Sequence, residues 1–298
     1  MRRFEYYAPT SVDEAAQLLA ERTDGSRPLA GGTDLIIQMK ERGRRVPSII
    51  SLRQVGDLRG VSVTSNGNLR LGAMATATDI ASNPLVQRGW PSVVDGAELV
   101  GSVQIRNRAT IGGNVCNAAP SADAVPALIA LGTTVLVSGP KGSREIVLEQ
   151  FFVGPGQTVL TPGEVLVEIL VPPQAAGGGG AYLRHVPRRE MDIAVVGVGI
   201  QLQLDGDGQS IKDARVVLAS VAPTQIRSPQ AEAALRGNRL TDDVIRAAGE
   251  GAAADARPIT DVRGSADYRR DLLRVYTGRV AQIAHQRARG IRSEQNGH

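Results

Sequence analysis

Two stretches of this chain are bare in the way that a site built from main-chain atoms would require. From Arg108 to Asp123 the sequence reads RATIGGNVCNAAPSAD, and from Leu29 to Ile36 it reads LAGGTDLI. Adjacent glycines admit positive φ and let a backbone approach another atom closely, while Thr, Asn and Ser carry polar atoms on short stems. Each segment is therefore either a tight structural turn or a cradle for a polar ligand. The turn at Ala30 to Leu35 feeds a helix N-terminus, where unpaired N–H groups and a partial positive charge suit a phosphate. It holds neither the lysine of a P-loop nor the third glycine of a dinucleotide fingerprint.

Other chemistry has thin support. The single cysteine, Cys116, excludes an internal disulfide and a four-cysteine cluster held by this chain alone. It reads as a small packed residue. His185, His285 and His298 stand in no metal-ligand spacing. No nucleophile, base and acid grouping can be assembled, so hydrolysis has no candidates. GVGI at Gly197 to Ile200 lies within an apolar strand and reads as close packing. Asp205-Gly206-Asp207-Gly208 lacks the later acidic ligand of a calcium loop and reads as a hairpin turn. Arg188 to Glu190 reads as a solvated charge cluster.

The elements that would position the bare segments follow from spacing. A strand near Phe4 to Tyr7 leads to a helix to about Arg22, opened by Ser11 and Glu14 in capping-box spacing. Pro28 to Ala30 is a short strand entering Gly31-Gly32, after which Thr33 or Asp34 can cap a helix through Met39. Strands follow at Pro47 to Leu52, Gly60 to Thr64 and Asn68 to Ala73, then helices from Thr78 and from Trp90 to Leu99. The Arg108 segment reads as a loop ahead of an apolar helix from Asp123 to Leu131, with Pro126 in its first turn. TTVLVSG, REIVL and EVLVEILVP are further strands, the last edge-like before Pro172-Pro173. AAGGGG (Ala175 to Gly180) reads as a flexible boundary, followed by three strands, three helices and a loose tail. Strands and helices are segregated rather than alternating, which predicts an α+β fold.

The 298 residues suffice for about two domains. An apolar content of 42% with 21% charged residues is that of a globular chain, and no apolar run reaches the length of a membrane span. Nothing near Arg2 and Arg3 reads as a secretion signal, so the expected location is the cytoplasm. The net charge of +4 is scattered and aromatics are only 3%, which argues against a nucleic-acid surface.

Taken together, LAGGTDL, RNRATIGGNVCNAAPSAD and the later YLRHVPRREMDIA resemble the FAD-binding medium subunits of the molybdenum hydroxylases, the carbon monoxide and xanthine dehydrogenase group. The resemblance runs in order through nearly the whole chain. It implies a two-lobed FAD-binding domain of the PCMH type over residues 1–175, a smaller α+β domain with a three-stranded sheet and helices over 176–290, and a tail at 291–298. By position it assigns FAD contacts to Leu29, Ala30, Gly31, Gly32, Thr33, Asp34, Leu35 and Ile36, and to Thr110, Ile111, Gly112, Gly113 and Asn114. The amides of both segments would meet the diphosphate. Gly101 would lie near the flavin, Asp123 would accept from a cofactor hydroxyl, and Arg184 stands where the family often has lysine. FAD would be held without a covalent bond. The molybdenum cofactor and the 2Fe–2S clusters would reside in a large and a small partner subunit, in a dimer of heterotrimers. The alternatives are a nucleotide-binding module or a structural subunit without redox activity.

Overall fold

A computed structural model describes residues 2–188 and 191–291. Arg189 and Glu190 of the charge cluster, and the tail from residue 292, including His298, lie outside the described residues. In chain order the elements begin β1 (Glu5–Tyr7), α1 (Val12–Glu21), β2 (Arg27–Leu29), α2 (Leu35–Lys40), β3 (Ser48–Ser51), β4 (Val61–Val63) and β5 (Leu69–Gly72). Six α-helices follow before the next strand: α3 (Ala77–Ala81), α4 (Pro84–Gly89), α5 (Pro91–Glu98), α6 (Val103–Arg106), α7 (Ile111–Asn117) and α8 (Ala124–Ala130). Next come β6 (Thr134–Gly139), β7 (Gly142–Val147), β8 (Phe152–Gly154), β9 (Gln157–Thr158) and β10 (Val165–Val171). The remainder is β11 (Gly178–His185), β12 (Val196–Leu204), β13 (Ile211–Ala219), β14 (Ile226–Arg227), α9 (Pro229–Leu235), α10 (Asp242–Asp255) and α11 (Ala266–Ala288).

These elements form two compact units, each assembled from separated stretches of chain. The first comprises residues up to Asn83, Val100–Ala119 and Gly132–Pro172. It holds a parallel sheet of order β1-β3-β2, an antiparallel sheet of order β4-β5-β10-β6-β7 and the β8-β9 hairpin. α1 starts where expected: Glu14 N–H donates to Ser11 Oγ at 3.1 Å, and Ala15, Ala16 and Leu19 turn inward onto Ile50, Leu52 and Val165. Each large apolar side chain so buried contributes about 1.5–3 kcal/mol. β10 is a correction, because it occupies the centre of its sheet rather than an edge. Pro172 and Pro173 fall beyond its last residue, where they remove no ladder hydrogen bond.

The second unit comprises Pro84–Leu99, Pro120–Leu131 and the chain from Pro173 onward. Three long antiparallel strands, β11-β12-β13, carry the two-residue β14 at one edge. Ala181, Val196, Val198, Ile200, Val216 and Leu218 form a core with Leu235, Ala252, Leu273 and Val280 of α9, α10 and α11. The AAGGGG run is not a flexible linker: Gly178, Gly179 and Gly180 open β11. A Cβ on Gly179 would overlap main-chain atoms of Ala284 and Ala288, so glycine there lets α11 lie on the strand. The Asp205 turn is a hairpin turn, with the Gln209 and Ser210 amides both donating to Asp207 Oδ1 at 2.9 Å.

Candidate functional site: two glycine segments and a buried carboxylate

The first glycine segment leaves β2 and enters α2, as its strand, turn and helix pattern implies. Gly32 has φ +80°, a conformation that favours glycine. Asp34 stands at the N-cap of α2 but makes no capping bond through its side chain, nor does Thr33, so the predicted cap is absent. Among the described residues, the amides of Gly31, Gly32, Thr33 and Asp34 have no protein acceptor. Ile36 N–H closes the turn on the Gly32 carbonyl at 3.0 Å.

The second segment is a helix where a loop was expected. Thr110 is the N-cap of α7, and its hydroxyl accepts from Gly113 N–H at 3.1 Å. Asn114 N–H donates to the Thr110 carbonyl, Ile111 N–H to the Ala75 carbonyl and Gly112 N–H to the Ala73 carbonyl, each at 2.9 Å. Every amide of its first turn is thereby spent inside the protein. The expectation that both segments offer free amides is corrected in this respect: only the first does. A cap and two long-range acceptors outweigh the roughly 1 kcal/mol that each interior glycine costs a helix.

Within the first unit the two segments meet. A Cβ added to Gly31 would overlap the Arg108 carbonyl oxygen, and one added to Gly113 would lie 3.7 Å from Ala30 Cβ. Gly112 faces Ala73, whose Cβ and carbonyl oxygen would stand 2.7 Å from an added Cβ. In the second segment Asn114 Oδ1 is buried and has no hydrogen-bond partner among the described residues. Free amides and an orphaned side-chain amide at a glycine-lined contact fit a ligand that both accepts and donates hydrogen bonds, as a nucleotide diphosphate with its sugar hydroxyls does. Gly101, at φ +54°, packs on Ile105 in the turn before α6. Burial pushes the thiol of the partly buried Cys116, in α7, up to about 12.

Asp123 and Arg184 belong to the second unit, and there they pair. Asp123 is 7% exposed and Arg184 shows 4% of its side chain. Arg184 Nη1 donates to Asp123 Oδ2. The Tyr182 hydroxyl donates to Asp123 Oδ1 at 2.8 Å. With its oxygens so used, Asp123 sits at the N-cap of α8 without capping it. Burial pushes its carboxyl up to about 6, against the opposing pull of Arg184 and Tyr182. Tyr182 was not singled out from the sequence. Its signal was the two-residue spacing to Arg184 on one strand, which puts both side chains on one face. Among the described residues no cluster of His, Cys, Asp and Glu could hold a metal ion, and no helix is long and apolar enough to cross a membrane.

Residues 2–174 match the family described as the FAD binding domain in molybdopterin dehydrogenase, and residues 181–284 match the CO dehydrogenase flavoprotein C-terminal domain. The chain belongs to this family of FAD-binding medium subunits of molybdenum hydroxylases, which are oxidoreductase subunits. Among individual proteins it is 35% identical to the carbon monoxide dehydrogenase medium chain of Hydrogenophaga pseudoflava, across 90% of this chain and 92% of that protein. It is 31% identical to a xanthine dehydrogenase FAD-binding subunit of Escherichia coli O157:H7, across 96% and 97%. In three dimensions it is similar to the solved carbon monoxide dehydrogenase from H. pseudoflava that lacks the Mo-pyranopterin moiety, with a TM-score of 0.92 over 96% of this chain and 98% of that one.

Proposed function

We propose that this chain holds FAD as the electron-transfer module of a molybdenum hydroxylase complex, receiving electrons from iron–sulfur clusters of a small partner subunit and delivering them to an external acceptor. The observation that carries this reading is the meeting of the two glycine segments, one with unspent amides and the other with the buried, unpartnered Asn114 Oδ1. The amides from Gly31 to Asp34 would take the diphosphate, and Thr110 and Asn114 would hold neighbouring oxygens and hydroxyls. Leu29, Ala30, Leu35, Ile36, Ile111, Gly112 and Gly113 would shape the cradle, and Gly101 would lie beside the flavin. Asp123 would accept from a cofactor hydroxyl with Arg184 fixing its orientation. The flavin supplies the exchange between one-electron and two-electron carriers; the chain supplies binding and orientation.

The substrate chemistry and the metal centres belong, in this reading, to a large molybdenum subunit and a small iron–sulfur subunit, assembled as a dimer of heterotrimers in the cytoplasm. The relatives named as medium chains of carbon monoxide dehydrogenase support such an assembly. The functional division near residue 175 is supported by the two family matches on either side of it. Purification tests the core of the proposal. A yellow chain that releases FAD on denaturation supports it, and a colourless chain that cannot be reconstituted with FAD removes it. Copurification of a molybdenum-containing chain and a cysteine-rich chain from the native host tests the partners.

A further inference from the structure

Tyr182 is placed with unusual completeness for a side chain that no motif marks. Its ring lies on the face of the β11-β12-β13 sheet that α8 covers, opposite Gly199 in register and diagonal to Gly197. A Cβ on Gly197 would stand 2.6 Å from the Tyr182 hydroxyl, and one on Gly199 would stand 2.9 Å from the Pro126 carbonyl carbon. The two glycines of GVGI thus have separate tasks: Gly199 admits α8, and Gly197 admits the phenol. The main chain of Tyr182 is also anchored, its N–H donating to Asp95 Oδ2 at 3.1 Å. Arg287 of α11 grips the same carboxylate, with Nη1 2.6 Å from Oδ2 and Nη2 3.0 Å from Oδ1. A second bond from Arg287 Nη1, at 2.8 Å, holds the Gly180 carbonyl.

An unbroken path therefore runs from Arg287 through Asp95 and the backbone of Tyr182 to its hydroxyl and on to Asp123. We propose that Tyr182 is a positioning residue for FAD binding: its hydroxyl, seated over Gly197, aims the Asp123 carboxylate so that it accepts from a cofactor hydroxyl. This rests on the flavin reading of Asp123 given above. The charged and titratable groups acting on Asp123 are Arg184 and Tyr182 on β11; Asp95 of α5, with its partner Arg287, holds the main chain of Tyr182, and β12 carries no titratable side chain. One guanidinium contact fixes one oxygen, whereas the phenol fixes the other, leaving the remaining lone pairs in a defined direction.

FAD affinity of the full-length chain, measured by flavin fluorescence from pH 5 to 8, tests this in Asp123→Ala, Tyr182→Phe and Gly197→Ala. Loss of the hydroxyl removes a bond to the charged form, so Asp123 protonates more readily and binding fails at higher pH. The expected result for Tyr182→Phe is about tenfold weaker FAD at pH 7, with the acid limb of the profile moved up by roughly one pH unit. Gly197→Ala keeps the hydroxyl but crowds it, and is expected to shift the limb the same way. If Asp123→Ala loses FAD while Tyr182→Phe keeps wild-type affinity and an unmoved limb, the positioning role is overturned and the flavin reading stands. If Asp123→Ala itself binds FAD normally, the reading of Asp123 falls and the role of Tyr182 with it. Should Tyr182→Phe fail to fold, Gly197→Ala decides: a wild-type profile overturns the proposal.

Discussion

The two glycine pairs look alike in sequence and do opposite things with their amides. Gly31 and Gly32 lie in a turn whose N–H groups have no acceptor among the described residues, and α2, which follows, has no side-chain cap. Gly112 and Gly113 lie inside a capped helix whose first four amides are all bonded, two of them to the Ala73 and Ala75 carbonyls. The first pair withholds hydrogen-bonding capacity from the fold, and the second uses all of it. Bareness therefore has two physical meanings here: room for a ligand in one segment, and room for the neighbouring backbone in the other. Gly31 shares in both, since its missing Cβ is what lets the second segment approach the first.

The strongest way to break this comparison is Gly31→Val. The added atoms would overlap a main-chain carbonyl, which cannot rotate away, so the two segments must separate. The expected outcome is a loss of roughly 3 kcal/mol or more in a denaturant titration, together with a colourless protein. Gly112→Ala is the next largest. Its Cβ would meet Ala73 at 2.7 Å and strain the Gly112 to Ala73 hydrogen bond, so about 1–3 kcal/mol of stability should go. Because the obstacle is protein and not ligand, that loss should be equal with and without FAD. A loss confined to the FAD-loaded form would show that the second pair also faces the cofactor.

Asn114→Ala should separate binding from folding. The wild-type side chain keeps an unpartnered acceptor buried, an arrangement that costs the empty protein about 1–3 kcal/mol. Removing it should leave the empty chain at least as stable by thermal melting, while FAD affinity falls about tenfold, the equivalent of one lost hydrogen bond. A variant that melts earlier yet binds FAD normally would mean that Asn114 serves the fold alone.

These contrasts also mark what the sequence could reveal. Strand, turn and helix around Gly31 were legible because local signals suffice there: a short apolar run, two glycines and a following amphipathic stretch. α7 was not, since glycine disfavours helix locally and the acceptors that pay for it, Ala73 and Ala75, lie some forty residues away in the chain. The same blindness to distant partners made AAGGGG look like a linker, when α11 needs Gly179 for close approach. Asp123 was legible as a carboxylate after a bare segment and before an apolar helix. Its partner Tyr182 was not, because nothing local shows which hydroxyl a strand will turn toward a carboxylate 59 residues earlier.

The smallest effect gives the sharpest view of the second pair. In Gly113→Ala the new Cβ would stand 2.8 Å from Thr110 Oγ1, so the hydroxyl must swing aside and the N-cap bond to residue 113 must break. A lost threonine cap costs about 1 kcal/mol, and replacing a helical glycine by alanine returns about as much. Gly113→Ala should accordingly be close to neutral. Thr110→Ala, which loses the cap with no such return, should cost about 1 kcal/mol. In the double variant nothing obstructs the new methyl, so alanine at 113 should now stabilise, giving a coupling of about 1 kcal/mol between two sites that touch. Strict additivity would mean that the methyl never reaches the hydroxyl, and the account of α7 as a helix held by its own cap would fail at that point.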